Sequence, residues 1–125
     1  MAKVTIPNIA RGKMADARAG KKQLPPIAKI AFGDGGVDSS GAVITPLPTS
    51  TALNHELMRA DITTVEKISQ TSYRYGYTIA EGGLGGKSVS EVALIDEEGD
   101  LASIETFKPK ADDLDSTYYV VDDFA

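Results

Sequence analysis

The residues that most invite a chemical reading lie in Glu81-Gly82-Gly83-Leu84-Gly85-Gly86-Lys87-Ser88. Glycines running into Gly-Lys-Ser suggest a loop whose backbone amides cradle a phosphate. That motif requires a glycine five positions before the glycine of Gly-Lys-Ser, and here the position is Glu81. It also requires a following helix, whose free amides and dipole hold the anion. The run Val89–Ile95 has strand character instead, so a nucleotide site is not expected and a mobile hairpin connection is. Asp34 to Gly41 has the composition of a calcium loop, but Ser39 stands where the sixth-position glycine belongs. His55 is the single histidine and there is no cysteine, which leaves a poor donor set for a transition metal. The acids Asp112, Asp113, Asp115, Asp122 and Asp123 are the kind that water usually solvates. No nucleophile elbow or triad pattern is present. The inventory predicts no catalysis, no cofactor and no metal.

What remains are surfaces. Tyr73, Tyr75 and Tyr77 alternate along one stretch, so a strand would place them on one face. Such a stripe suits core packing, a subunit interface or stacking on sugar rings. Charge is strongly divided: residues 1–31 carry a net +6, residues 32–90 a net −2 and residues 91–125 a net −9, for a total of −5. A basic end is most comfortable beside an acidic region of the same chain or of a neighbour. Arg11, Lys13 and Arg18 therefore join the three tyrosines as candidate interface residues. A nucleic-acid arm is not expected, since the chain is acidic and no aromatic residue lies among the bases of the N-terminal arm. The N-terminus has no apolar run long enough for a signal peptide or a membrane span, so the expectation is a soluble product made in a cytoplasm.

The elements that must position these groups are legible in part. Ala10, Met14 and Ala17 share a helical face, predicting a helix over Ile9–Ala19 with Asn8 as N-cap and Gly20 as its stop. Pro25-Pro26 forces extended chain, and Ile27–Phe32 alternates as a strand. Residues 37–50, with Pro46 and Pro48, predict a surface loop. Thr49–Met58 admits one or two helical turns, and a strand over Arg59–Ile68 is equally open. Strands follow over Thr71–Ala80, Val89–Ile95, Leu101–Phe107 and Thr117–Val121, the second and third joined by a turn at Glu97–Asp100. Val92 and Leu94 face one side and Ala93 and Ile95 the other, so Val89–Ile95 should be buried on both. The expected fold is α+β, a short N-terminal helix followed by a mostly antiparallel β-sheet or sandwich. The expected organisation is one domain over 1–125, with a basic helical arm (1–22) and a strand-rich body (27–125).

Four segments in order resemble one family, the phage tail-collar fibre proteins. Gly12 to Gly35, ending in Lys29-Ile30-Ala31-Phe32-Gly33-Asp34-Gly35, is similar to its N-terminal signature, and a proline-containing loop follows. Thr51 to Arg59 resembles its "T-x-L-x-x-E-x-x-R" block. Val89 to Leu101 resembles its hairpin "I-x-E-I-G-L-F-D-x-x-G-x-L", with Ala93 in place of the glycine, and Lys108 follows. The resemblance implies a structural protein of the virion tail that attaches a fibre to the baseplate or forms part of it, without catalysis. It also implies a homo-oligomer, a trimer by default, whose partners are tail proteins and neither nucleic acid nor membrane. Glu56 and Arg59 would pair across a helical turn if that block were helical. Members commonly continue into a long fibre, whereas this sequence stops at Ala125. The expectation is therefore either an excised N-terminal domain or a short attachment product. The alternative readings are a carbohydrate- or host-surface-binding module using the tyrosines and, after it, a nucleotide-binding protein.

Overall fold

The computed structural model describes residues 2–124. The elements are β1 (Lys3–Thr5), α1 (Asn8–Arg18), β2 (Ile27–Gly33), β3 (Glu56–Asp61), β4 (Thr64–Ser69), β5 (Ser72–Ile79), β6 (Val89–Asp96), β7 (Leu101–Lys110) and β8 (Ser116–Asp123). They form a five-stranded sheet in the order β1-β7-β6-β2-β3 and a three-stranded sheet in the order β4-β5-β8, antiparallel throughout. The expected α+β class, one short helix and then antiparallel sheets, is what the chain adopts. Among the described residues no helix is long and apolar enough to cross a membrane.

β6 is the centre of the larger sheet, and every one of its residues is buried. On one face Val92 and Leu94 join Ile30 and Phe32 of β2, Phe107 of β7, and Tyr118 and Val120 of β8 in a core between the two sheets. Aromatic rings carry that contact: Phe32 meets Tyr118 edge-on at 5.0 Å and Tyr77 at 6.0 Å. On the other face Ala93 and Ile95 pack with Ala31, Leu101, Ile104 and Leu53 in a second core. That face is covered by the connection between β2 and β3, together with α1, which packs against β7.

The helix shows its stripe as expected, with Ala10 buried and Met14 and Ala17 half-buried, and Gly20 leaves it at φ +74°. Its cap differs. Pro7 is the N-cap and its carbonyl accepts from Ala10 and Arg11, while Asn8 is already helical and makes no capping bond with its side chain. The Asn8 amide instead donates to the Pro48 carbonyl, tying the helix start to the long loop. Thr49–Met58 forms no helical turn. Leu53 inserts into the second core, and the Asn54 and His55 amides, which a helix would use internally, are taken by a side chain of β6. The chain stays extended into β3, breaks at Ile62-Thr63 and continues as β4.

Candidate functional site

The buried polar groups of β6 gather the segments that the sequence singled out. Glu91 is 1% exposed and lies on the loop-covered face, opposite Gly33 on β2 and Thr106 on β7. Its Oε1 accepts the Asn54 amide at 2.9 Å, and its Oε2 accepts the amides of His55 at 2.8 Å and Gly35 at 2.9 Å. Three charge-assisted bonds from backbone donors make up for the carboxylate's loss of water. Next to it, Ser90 Oγ accepts the Gly36 amide at 2.9 Å. Thr106 Oγ donates to the Ile44 carbonyl at 2.6 Å, and Thr5 Oγ1 donates to the Pro46 carbonyl at 2.9 Å. The loop between β2 and β3 is thus held at both ends and in the middle.

This closeness explains the glycines. A Cβ on Gly33 would lie 2.3 Å from the His55 carbonyl oxygen, and one on Gly35 would lie 2.6 Å from the Asn54 Cβ. Asp34 pairs with His55 above the clamp. Asp38 organises the loop tip by accepting from the Ser40 hydroxyl and from the amides of Ser40 and Ala42; the Ser40 hydroxyl and then those amides hold its pKa below the usual carboxylate value. The acid and glycines that suggested a calcium loop are spent on turns.

The glycine connection does hold an anion, but it is the chain's own. The amides of Leu84 and Gly86 donate to Asp112 at 3.0 and 3.1 Å, and the Glu81 amide donates to Asp115 at 2.7 Å. Lys87 leads into β6, not into a helix. The turn between β6 and β7 uses the basic arm in the same way. Lys13 Nζ lies 2.7, 2.9 and 2.8 Å from Asp96, Glu98 and Asp100, and Lys22 lies 2.5 Å from Glu98. Burial opposes the charge on Lys13, but the hydrogen bonds of Asp100, Asp96 and Glu98 outweigh it and raise its pKa. Lys22, then Lys13, pull Glu98 down to about 2. These three acids have the spacing of a cation site, and the lysine ammonium stands where the cation would.

Of the candidate interface residues, Tyr75 and Tyr77 are half-buried and pack on the inter-sheet core, while Tyr73 is 41% exposed with Lys67 over its ring. The stripe therefore divides between core and surface and does not form one open platform. Lys13 is engaged within the chain. Arg11 donates to the Ile6 carbonyl, and both Arg11 and Arg18 lie on the exposed side of α1. Glu56 and Arg59 do pair, at 2.9 Å, but along strand β3. The sequence reading missed Glu91 as the organising residue; its signal was an acid in the middle of a strand whose apolar residues lie on both faces.

The polar motif residues of this small two-sheet scaffold are committed to fixing its own loop. Residues 1–119 match the family described as phage tail-collar fibre protein, N-terminal, and the chain belongs to that family. No curated protein and no solved structure gives a significant match. The family is one of structural, generally non-catalytic tail-fibre proteins, which indicates a place in the virion tail.

Proposed function

We propose that this chain is the module by which a tail fibre is held on the tail baseplate, and that it acts as a homo-oligomer, a trimer by preference, without catalysis. The family match over 1–119 carries this reading. The clamp around Glu91 supports it, because a docking surface that must hold a fibre benefits from a loop fixed before the partner arrives. The exposed bases Arg11 and Arg18 are available to an acidic partner surface, and contacts of that kind weaken as the Debye length falls from about 10 Å at 0.1 M salt to about 3 Å at 1 M.

Gold-labelled antibody against the chain, applied to particles of the source phage in the electron microscope, tests the position directly. Label at the junction of fibre and baseplate, and fibreless tails when the gene is removed, are the expected results. Label at a distal fibre tip, or fibres still attached without the gene, would sink the proposal. Sedimentation of the purified chain at rising salt tests the oligomer: a species larger than monomer that loosens with salt is expected, and a monomer throughout counts against it.

A further inference from the structure

A cavity of about 200 Å³ opens at one end of the sandwich, between the helix and the end of the smaller sheet. Its walls are apolar: Ala10 and Met14 of α1, Leu24 and Ile27 of the segment leading into β2, and Phe124 just after β8. Phe124 and Leu24 are 54% and 40% exposed, so the mouth is greasy as well. Two carboxylates belong to the lining, Asp96, which is paired with Lys13, and Asp122. Asp122 is 9% exposed, and among the described residues it accepts no hydrogen bond and forms no ion pair. The nearest cation on the wall, Lys13, is already held by Asp96, Glu98 and Asp100.

A carboxylate largely withdrawn from bulk water into an apolar cleft, with no donor from the protein, is costly, and native proteins keep such a group where something else completes it. We infer that this cleft receives a basic side chain, lysine or arginine, from a partner protein, with its aliphatic stem along Leu24, Ile27 and Phe124 and its charge at Asp122. A long stem ending in a cation matches an apolar wall ending in an anion. Burial, and after it the neighbouring Asp123, raises the Asp122 pKa, the state expected of an acid waiting for its counter-charge. Tyr75 faces it from β5, and Asp122 in turn raises the Tyr75 hydroxyl, after burial itself. That the partner is another tail protein rests on the attachment reading; the preference of the cleft for a cation does not.

The probe is N-acetyl-lysine N-methylamide, titrated into the 15N-labelled chain, with the neutral norleucine equivalent as control. Saturable shifts at Leu24, Ile27, Tyr75 and Phe124 with the lysine probe, at least tenfold weaker in Asp122→Asn, are expected. The same variant, nearly isosteric and uncharged, should have a higher urea midpoint than the parent when no probe is present. Binding to the unmutated chain should also fade as pH falls and Asp122 takes up a proton; Asp123, Tyr75, Tyr73 directly opposite on β5 and the Lys13–Asp96 pair are the other titratable groups around it, and Asp123→Asn should leave the fade in place. Equal shifts with norleucine, or an Asp122→Asn variant that binds as well or is less stable, would overturn the inference while leaving the position in the tail untouched. Self-association abolished by Asp122→Asn would make a second copy the occupant and overturn the assignment to a separate partner.

Discussion

Gly36 and Ser90 approach so closely that a Cβ on Gly36 would lie 1.9 Å from the Ser90 carbonyl oxygen. The Gly36 amide and the Ser90 hydroxyl bond across the same gap. Backbone meets backbone here, so neither side can swing away. Gly36→Ala should force the loop off β6 and destabilise the chain by about 2–4 kcal/mol, in the range of large single-site effects. Gly41→Ala is a contrasting control, since nothing lies near its Cβ and the cost is only that of its φ of +85°, about 1 kcal/mol. Urea midpoints of the two variants should differ in that order; equal midpoints would remove the close approach as a constraint.

Glu91→Gln keeps the shape of the side chain but replaces one acceptor oxygen with an NH2 group facing backbone donors. At least one amide among Gly35, Asn54 and His55 then loses its partner, which costs about 1–3 kcal/mol. Hydrogen exchange should speed selectively at those three amides. Unchanged exchange there would mean the carboxylate is not what holds the loop.

Leu94 is fully buried in the inter-sheet core and Glu97 lies exposed in the following turn. Leu94→Asp places a carboxylate where no donor waits, at several kcal/mol, against a total stability of about 5–15 kcal/mol. Little soluble protein is expected. Glu97→Ala should shift stability by less than about 0.5 kcal/mol. A Leu94→Asp chain with an unchanged urea midpoint would take β6 out of the core.

The turn acids predict a pH dependence. Lys22 and Lys13 depress Glu98 to about 2 in the folded chain, while an unfolded glutamate titrates near about 4.3. The ion pairs therefore contribute stability above that unfolded value, and the contribution drains away as pH falls from about 4.3 toward about 2. Glu98→Gln should flatten the acid limb of a stability profile in that window and leave it unchanged near neutrality in slope. The effect is modest because Glu98 is 36% exposed and salt screens it. An identical acid limb would show that the pairs contribute nothing.

The sequence made the fold class legible where pattern and environment agree. Val89–Ile95 is apolar on both faces and is buried on both, and the helix stripe at Ala10, Met14 and Ala17 turns inward. The long loop was legible as a loop, but not its anchor. A glutamate is expected at the surface, and nothing local to Glu91 reveals that three amides from 36 to 56 positions away converge on it. The same distance hid the fate of Asn54 and His55, whose amides make a helix over Thr49–Met58 impossible. Arg59 and Glu56 satisfied a helical spacing and pair on a strand all the same, since long side chains reach along an edge. The divided charge was plain, and its resolution between Lys13 and the β6–β7 turn needed the fold to bring residues 13 and 96 together.

A chain without cysteine has no covalent staple, and the Glu91 carboxylate stands in for one. It cross-links residue 91 to residues 35, 54 and 55, closing the intervening loop into a ring. A disulfide yields to a reductant one bond at a time. This latch gathers three amides on one side chain, while Ser90, Thr106 and Thr5 hold the rest of the loop. A load on the loop should therefore be shared between the Glu91 latch and those further anchors, so that losing the latch alone loosens residues 35, 54 and 55 and leaves the loop tethered.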